Sequence, residues 1–401
     1  MNYILFDDRF SEHLLPFTYT RPVADILVGI WTLREKWESM LGRSVSYKPY
    51  RAYLSSKYNT VVQPDNTYIN GAVFARADLA KVIDSLGIGE MLLEGERVVA
   101  VRSEQPLERF EPEALDALGF KHKAFTSAIT WLSYPEDIFR MNGPEIARDF
   151  EVITKNRSSA AIDETNRLIR PEHIFVEAGA KISCAIINAS NGPVYIAADA
   201  EIMEGALIKG PFYLGAHSTI KMGAKIYGDC SIGPHSKVGG EVSNSVVFGY
   251  SNKGHDGFMG NSVLGTWCNW GADTNNSNLK NNYEEVKLWD HVLGRFRKTG
   301  LQFAGLMMAD HAKSGINTMF NTGTVVGVGA NIFGAGFPRN FLPSFCWGGA
   351  QGIETFRFNK FCETAAKVME RRGIALDAVE QAILQAVYDE TASQRSWEIN
   401  K

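Results

Sequence analysis

Ile196, Ile202, Ile208, Leu214, Ile220, Ile226, Ile232 and Val238 stand six residues apart in one unbroken series. An α-helix turns every 3.6 residues and drifts out of phase with that beat, and a simple strand alternates every two. A strict six-residue aliphatic repeat fits a parallel β-helix. Each hexapeptide there supplies a short strand and a turn, and three of them close one triangular coil. The aliphatic side chain points inward and stacks on its equivalent one coil on. Gly215, Gly233 and Gly239 directly follow three of these residues and put a small, permissive residue near the corners. The repeat begins around Ile174. Met259, Leu264 and Trp270 extend it with one step of five and one of six, and Phe320, Val326 and Ile332 restore the six-residue step. Between them lies 273–313, Asn-rich at its start (DTNNSNLKNN) and basic at Arg295, Arg297 and Lys298. An excursion of that length from a solenoid is expected to carry function.

A chain of 401 residues has room for two or more domains. Residues 1–150 read as α/β. A buried first strand covers 3–6, and a helix opened by Pro22 runs to Met40. Further strands are expected around Val61 and Val62, at 72–74 and at 97–101, with helices at 78–85 and 112–118. Residues 151–171, polar and aperiodic from 155 to 167, read as a linker, and 172–350 as the β-helix. The tail, 351–401, reads as helical. Phe361, Ala365, Val368 and Met369 form one apolar stripe closed by Gly373, and Val379, Ala382, Ile383 and Val387 form a second. Two amphipathic helices are expected to cap the open end of the solenoid.

Composition narrows the partners. With 41 basic against 45 acidic side chains, the formal charge of −4 gives no electrostatic case for nucleic acid or an anionic membrane. Five scattered cysteines without CxxC spacing read as reduced thiols, neither a disulfide frame nor a zinc site. The start MNYILFDDRF is not a signal peptide, and no apolar run is long enough to cross a bilayer. A soluble, cytoplasmic protein is expected.

Of eight histidines, His255 (SNKGHDGFMG) and His311 (ADHAKSG) stand out. Acyl transfer to an amine needs a base that titrates near neutrality, which histidine supplies. Glu241, Asn269 and Asn278 are polar residues within reach of His255 on its own or the next coil. The plainer alternative makes His255 one turn residue among many.

The stretch from Glu241 to about Lys287 adds motifs: GEVSNS, GHDGFMGN and NWGADTNNSNL. It resembles the acetyltransferase half of the bifunctional N-acetylglucosamine-1-phosphate uridylyltransferase/glucosamine-1-phosphate N-acetyltransferase family. That family carries V-E-x-K, then G-H-x-x-Y-x-G-D, then N-x-G-A-G-T ending in C-N-Y. The resemblance covers about 170–345 and implies a left-handed β-helix acting as a homotrimer, with acetyl-CoA lying between solenoids. It implies His255 as the base that deprotonates the sugar amine, Glu241 and Asn278 as active-site partners, and Asn269 as a sugar contact. Departures are Ser243 for a lysine that grips the sugar phosphate, Phe258 for a tyrosine and Leu279 for another. Lys225, Lys253, Lys287 and the 295–298 cluster are the candidate cations for that phosphate.

In the same family the first domain transfers a nucleotide to a sugar-1-phosphate. Its phosphate-binding glycine loop is absent here, where the first strand is followed by FDDRFSEHLLPFTYTRPVADI, although L-P-F-T-Y-T-R-P resembles the later part of that segment. Asp7, Asp8, Arg9 and Arg21 are the candidates for a nucleoside triphosphate and its Mg2+, and metal ligands are otherwise unassigned. The resemblance thus implies an amino-sugar-1-phosphate N-acetyltransferase fused to a divergent, Rossmann-like nucleotidyltransferase domain, on the way to UDP-N-acetylglucosamine or a similar sugar nucleotide. Two rivals stay open: a nucleotidyltransferase whose β-helix only assembles the oligomer, and a non-catalytic trimeric binding module.

Overall fold

The computed structural model describes residues 1–399, so the last two residues of the expected tail, 400 and 401, lie outside the described residues. The chain forms two compact units, Met1–Ile26 with Trp31–Tyr134, and Leu27–Ile30 with Pro135–Lys401. Residue 150 falls inside a helix of the second unit.

The first unit is built on β1 (Asn2–Phe6), β2 (Ser46–Lys48), β3 (Asn66–Asn70), β4 (Glu90–Glu94), β5 (Arg97–Ser103) and β6 (Lys121–Lys123), in the order β2-β1-β3-β5-β4-β6. β1 runs parallel to β2 and β3, β5 antiparallel to β3 and β4, and β6 parallel to β4. Helices α1 (Leu33–Leu41), α2 (Ala77–Asp84) and α3 (Pro112–Ala117) complete the unit. Both faces of the sheet are buried, Tyr3, Leu5, Ile69 and Val99 in one core and Ile4, Phe6, Tyr68 and Val98 in the other. That double burial explains the unbroken apolar run of the first strand.

Three expectations fail in this unit. Residues 22–40 are not one helix. A 3-10 turn, Val23–Asp25, is followed by irregular chain, and α1 starts only after Thr32, whose side chain and Glu35 form a capping box. Gly29 at φ +89° interrupts the pattern. Val61 and Val62 are exposed and form no strand, and the backbone of Val61 is taken up by side chains, its N–H donating to Ser46 Oγ at 3.1 Å and its carbonyl accepting from Asn2 Nδ2 at 2.7 Å. Ala72, Val73 and Phe74 are buried but lie past the end of β3, with a single bridge from Val73 to Trp131.

In the second unit, α4 (Pro135–Thr154) packs across one wall of a three-walled parallel β-helix. The walls are sheets of six, nine and ten strands. The hexad series is dealt out to them in rotation. Ile196, Leu214 and Ile232 pair along the second wall, Ile202, Ile220 and Val238 along the third, and Ile208 and Ile226 along the first. All of these side chains are buried in one continuous core. Between the second and third walls, a residue of each coil takes the left-handed conformation: His217, His235, Tyr250, Trp267 and His311, with φ from +52° to +62°. Their rings stack along the axis at centroid distances of 4.8, 4.7, 4.4 and 6.3 Å. His311 is therefore a buried member of a structural stack.

The excursion leaves the first wall after Asn276 and re-enters the second at Leu306. The ladder closes over the gap, since Val263 pairs directly with Met307. Its middle is an antiparallel hairpin, Lys287–Asp290 with Arg295–Lys298. Trp289 stacks on Phe341 at 4.3 Å. Arg297 donates from Nη2 to Glu136 Oε1 at 2.6 Å, and its Nε lies 3.4 Å from Asp290 Oδ2. The basic cluster expected at 295–298 as a phosphate site is thus partly an internal clasp between the hairpin and α4.

The tail helices, α5 (Phe358–Glu370) and α6 (Ala378–Glu390), form as expected but do not close the open end. Phe361 packs edge-on against His311 at 5.7 Å and Phe345 at 4.9 Å, and Arg372 Nη2 donates to Asn252 Oδ1 at 3.2 Å. α5 therefore runs beside the stacked corner and the third wall. The end itself is covered by the hairpin Cys346–Gly349/Gly352–Thr355, against which Trp397 donates from Nε1 to Thr355 Oγ1 at 2.9 Å.

Candidate functional site

The outward side chains of the third wall are polar coil after coil: Thr219, Lys237, Asn252, Asn269 and Lys313 are register partners in succession. Beyond them, past the end of α5, stand Arg371 and Arg372. The space between is a groove of about 770 Å³, lined by His255, Asn269, Lys237, Lys313, Arg371 and Arg372 among others. That volume suits a coenzyme-sized ligand. Lys221 adds a further cation, Tyr250 and Trp267 add aromatic edges, and no carboxylate lines the groove among the described residues. A surface of this kind attracts phosphate-bearing ligands. Burial pushes the Lys313 ammonium down to about 8, and His235 is lowered by burial and then by His217 and Arg372.

His255 sits exposed at the corner where the third wall turns into the first, at the rim of the groove. The corner rests on Gly240 of the preceding coil, where an added Cβ would meet His255 O at 2.9 Å. Glu241 follows that glycine and begins the first-wall strand, with Lys225 and Phe258 as its register partners one coil to either side. None of these three lines the groove. Asn278 lies at the next corner, where its Nδ2 donates to Asn261 Oδ1 at 2.8 Å. Lys287 is exposed on the hairpin. Lys253 is not at the surface: it is 3% exposed, points into the coil and donates from Nζ to His255 O at 2.6 Å. The structure thus brings His255 and Asn269 together, sets Glu241, Phe258 and Lys225 on the adjoining wall with the Asn278 side chain beside the Phe258 ring over Gly260, and places Lys287 on the hairpin. Sequence reasoning missed Lys221, Lys237, Lys313, Arg371 and Arg372. The signal for the wall lysines was the polar residue recurring beside each inward position.

In the first unit a smaller cavity of about 260 Å³ opens beyond the C-terminal ends of β1 and β2, lined by Asp7, Asp8, Arg9, Lys48, Glu96 and Arg109 among others. Asp7 accepts a hydrogen bond from the Val23 N–H at 3.1 Å, and burial pushes its carboxyl up to about 7. Asp8 accepts from Asn70 Nδ2 at 2.8 Å and Arg97 Nε at 3.3 Å. Arg9 is exposed, 3.8 Å from Glu96. Arg21 is buried and does not line this cavity, a departure from the expected set. The position, at the ends of two parallel strands, is where open α/β sheets bind ligands. No cluster of three or more His, Cys, Asp or Glu suited to a metal occurs among the described residues. Asp7 and Asp8 fit the one or two carboxylates with which Mg2+ is commonly held beside phosphates.

Among the described residues no helix is long and apolar enough to cross a membrane. Of known proteins, the bifunctional sugar-1-phosphate nucleotidylyltransferase/acetyltransferase of Sulfurisphaera tokodaii is 36% identical over 144 residues, 35% of this chain and 35% of that protein. The bifunctional protein GlmU of Methanococcus maripaludis is 28% identical over 95 residues, 23% of this chain and 22% of that protein. The chain thus spans about a third or less of the length of these curated relatives, both of them bifunctional by name. A solved structure, the polySia-specific acetyltransferase NeuO, covers 48% of this chain and 87% of its own at 15% identity and a TM-score of 0.26. Residues 3–158 match the family model described as sugar nucleotidyl transferase, so this chain carries a sugar nucleotidyltransferase domain joined to a parallel β-helix.

Proposed function

We propose that the β-helix transfers an acetyl group from acetyl-CoA to the amine of an amino-sugar-1-phosphate, and that the first domain couples such a sugar phosphate to a nucleotide. The observation that carries the first half is His255 at the rim of a groove lined by five Lys and Arg side chains and, among the described residues, no carboxylate. Lys221, Lys237, Lys313, Arg371 and Arg372 hold the phosphates of the acyl donor, so that its thioester reaches the corner. His255 takes the proton from the attacking amine as the C–N bond forms, and returns it to the sulfur as the C–S bond breaks. Asn269 orients the sugar. Glu241, Phe258, Lys225 and Asn278 lie off the groove of their own chain. A homotrimer, in which a neighbour's wall completes the site, gives these residues a place in the chemistry.

In the first domain, Arg9, Lys48 and Arg109 line the place for the triphosphate, and Asp7 and Asp8 would hold Mg2+, which would supply charge neutralisation at the phosphates. Free cysteines throughout the chain agree with a cytoplasmic enzyme. A second reading keeps only the nucleotidyltransferase and makes the β-helix an assembly device. It is favoured by the family match, which is confined to residues 3–158.

Thiol release from acetyl-CoA with glucosamine-1-phosphate, compared between wild type and His255→Ala, tests the first reading. A loss of at least about 10²-fold is expected. Equal turnover in both would remove His255 as the base. Thiol silence with pyrophosphate release from a nucleoside triphosphate would select the second reading.

A further inference from the structure

Along the third wall the inward positions run Ile182, Ile202, Ile220, Val238 and then Lys253. Every neighbour below it in the stack is aliphatic, so a lysine here interrupts an apolar column. Its methylene stem fills the column, and its Nζ reaches the corner to donate to the backbone carbonyl of His255 at 2.6 Å. The Trp270 ring of the next coil lies 6.0 Å from the ammonium. Gly240 leaves room for it, since a Cβ there would come within 2.9 Å of Nζ. Burial pushes this ammonium down to about 8, against the opposing pull of the Asp256 and Asp273 carboxylates. A buried cation in an apolar stack is costly to retain, and the acyl-transfer chemistry above does not use it.

We propose that Lys253 is a positioning residue, an internal strut that fixes the corner bearing His255 in the orientation that amine attack requires. The inference rests on the reading of His255 as the base. Without the strut, Gly254 and Gly257 flank a corner free to shift, and misplacing a reacting group by about 1 Å can cost about 10²-fold in rate.

The test uses the full chain with Lys253→Met, which keeps the stem and removes the donor, and Lys253→Arg, which keeps a cationic donor. In Lys253→Met, kcat for thiol release is expected to fall about 10- to 100-fold with KM for acetyl-CoA unchanged. The amides of residues 254–257 should exchange faster with solvent while those of the other coils do not, and the melting temperature should stay level or rise. Lys253→Arg should recover much of the lost kcat. Unchanged kcat in Lys253→Met, a loss that tracks lowered stability, or an arginine variant no better than methionine would each overturn the proposal. His255→Ala separates the two possible failures. Full turnover in His255→Ala sinks the base assignment, whereas an inactive His255→Ala beside a fully active Lys253→Met sinks the strut alone.

Discussion

Replacing Arg297 by methionine would leave Glu136, 1% exposed, and Asp290, 6% exposed, as carboxylates facing each other's site without the guanidinium that joins them. Breaking a buried pair by removing one partner costs about 3–5 kcal/mol. An independent route gives a similar figure. A carboxyl with an unfolded pKa of about 4.3 can escape the burial cost by taking up a proton, which at pH 7 requires about 3.7 kcal/mol. At pH 5 the same escape requires only about 1 kcal/mol. Burial already raises Glu136, with Arg297 acting against that rise, so the substitution raises it further. A carboxyl whose folded pKa is raised contributes stability at low pH that is lost as pH climbs through the folded value. The Arg297→Met penalty should therefore be about 3–5 kcal/mol at pH 7 and shrink to about 1–2 kcal/mol at pH 5. Urea unfolding of the full chain at the two pH values measures it, and the Glu136→Gln/Arg297→Met double variant should recover a large part of the loss. A penalty below about 1 kcal/mol at pH 7, or one equal at both pH values, would refute the reasoning.

Arg371→Ala should weaken coenzyme A binding about 10- to 150-fold, the range of one charge-assisted hydrogen bond, and flatten its salt dependence. Calorimetry at two ionic strengths would show this, and an unaltered affinity would remove Arg371 from the phosphate site. Asp7, raised to about 7 by burial, holds a proton in the folded state from about pH 4 to 7, so its stabilising contribution is lost as pH rises across that window. Asp7→Asn should accordingly gain up to about 4 kcal/mol over wild type at pH 8 and nothing at pH 4, while losing nucleotide transfer. An identical melting shift at both pH values would contradict it.

The β-helix was legible because its period is enforced by stacking. Ile196 through Val238 can hold a six-residue step only if each coil repeats the last. The α/β unit was legible in its long apolar runs and opaque where one residue overrides a pattern, as Gly29 does within 22–40, or where distant side chains take up the backbone, as Ser46 and Asn2 do at Val61. Tail helices were readable from their stripes, yet a stripe says that a face is buried and not which surface buries it. That is why α5 was expected over the open end and is found beside the aromatic corner. The groove was mostly hidden, since its cations come from separate coils and from the tail, far apart in sequence. From sequence Lys253 reads as a candidate cation for the sugar phosphate, because lysine seldom lies inside. A 15-residue step from Val238, in place of the usual 18, concealed that it occupies an inward position.

Coils that touch only their neighbours can stack one by one as the chain emerges from the ribosome. The pair Glu136–Arg297 cannot follow that schedule, because its members are 161 residues apart. At about 5–20 residues per second, α4 waits roughly 8–30 s before the hairpin that holds it has been made. Until then the first coils exist without their far tie and remain open to chaperones and proteases. Once it closes, a row of stacked coils that could fray from either end is bound into one cooperative block.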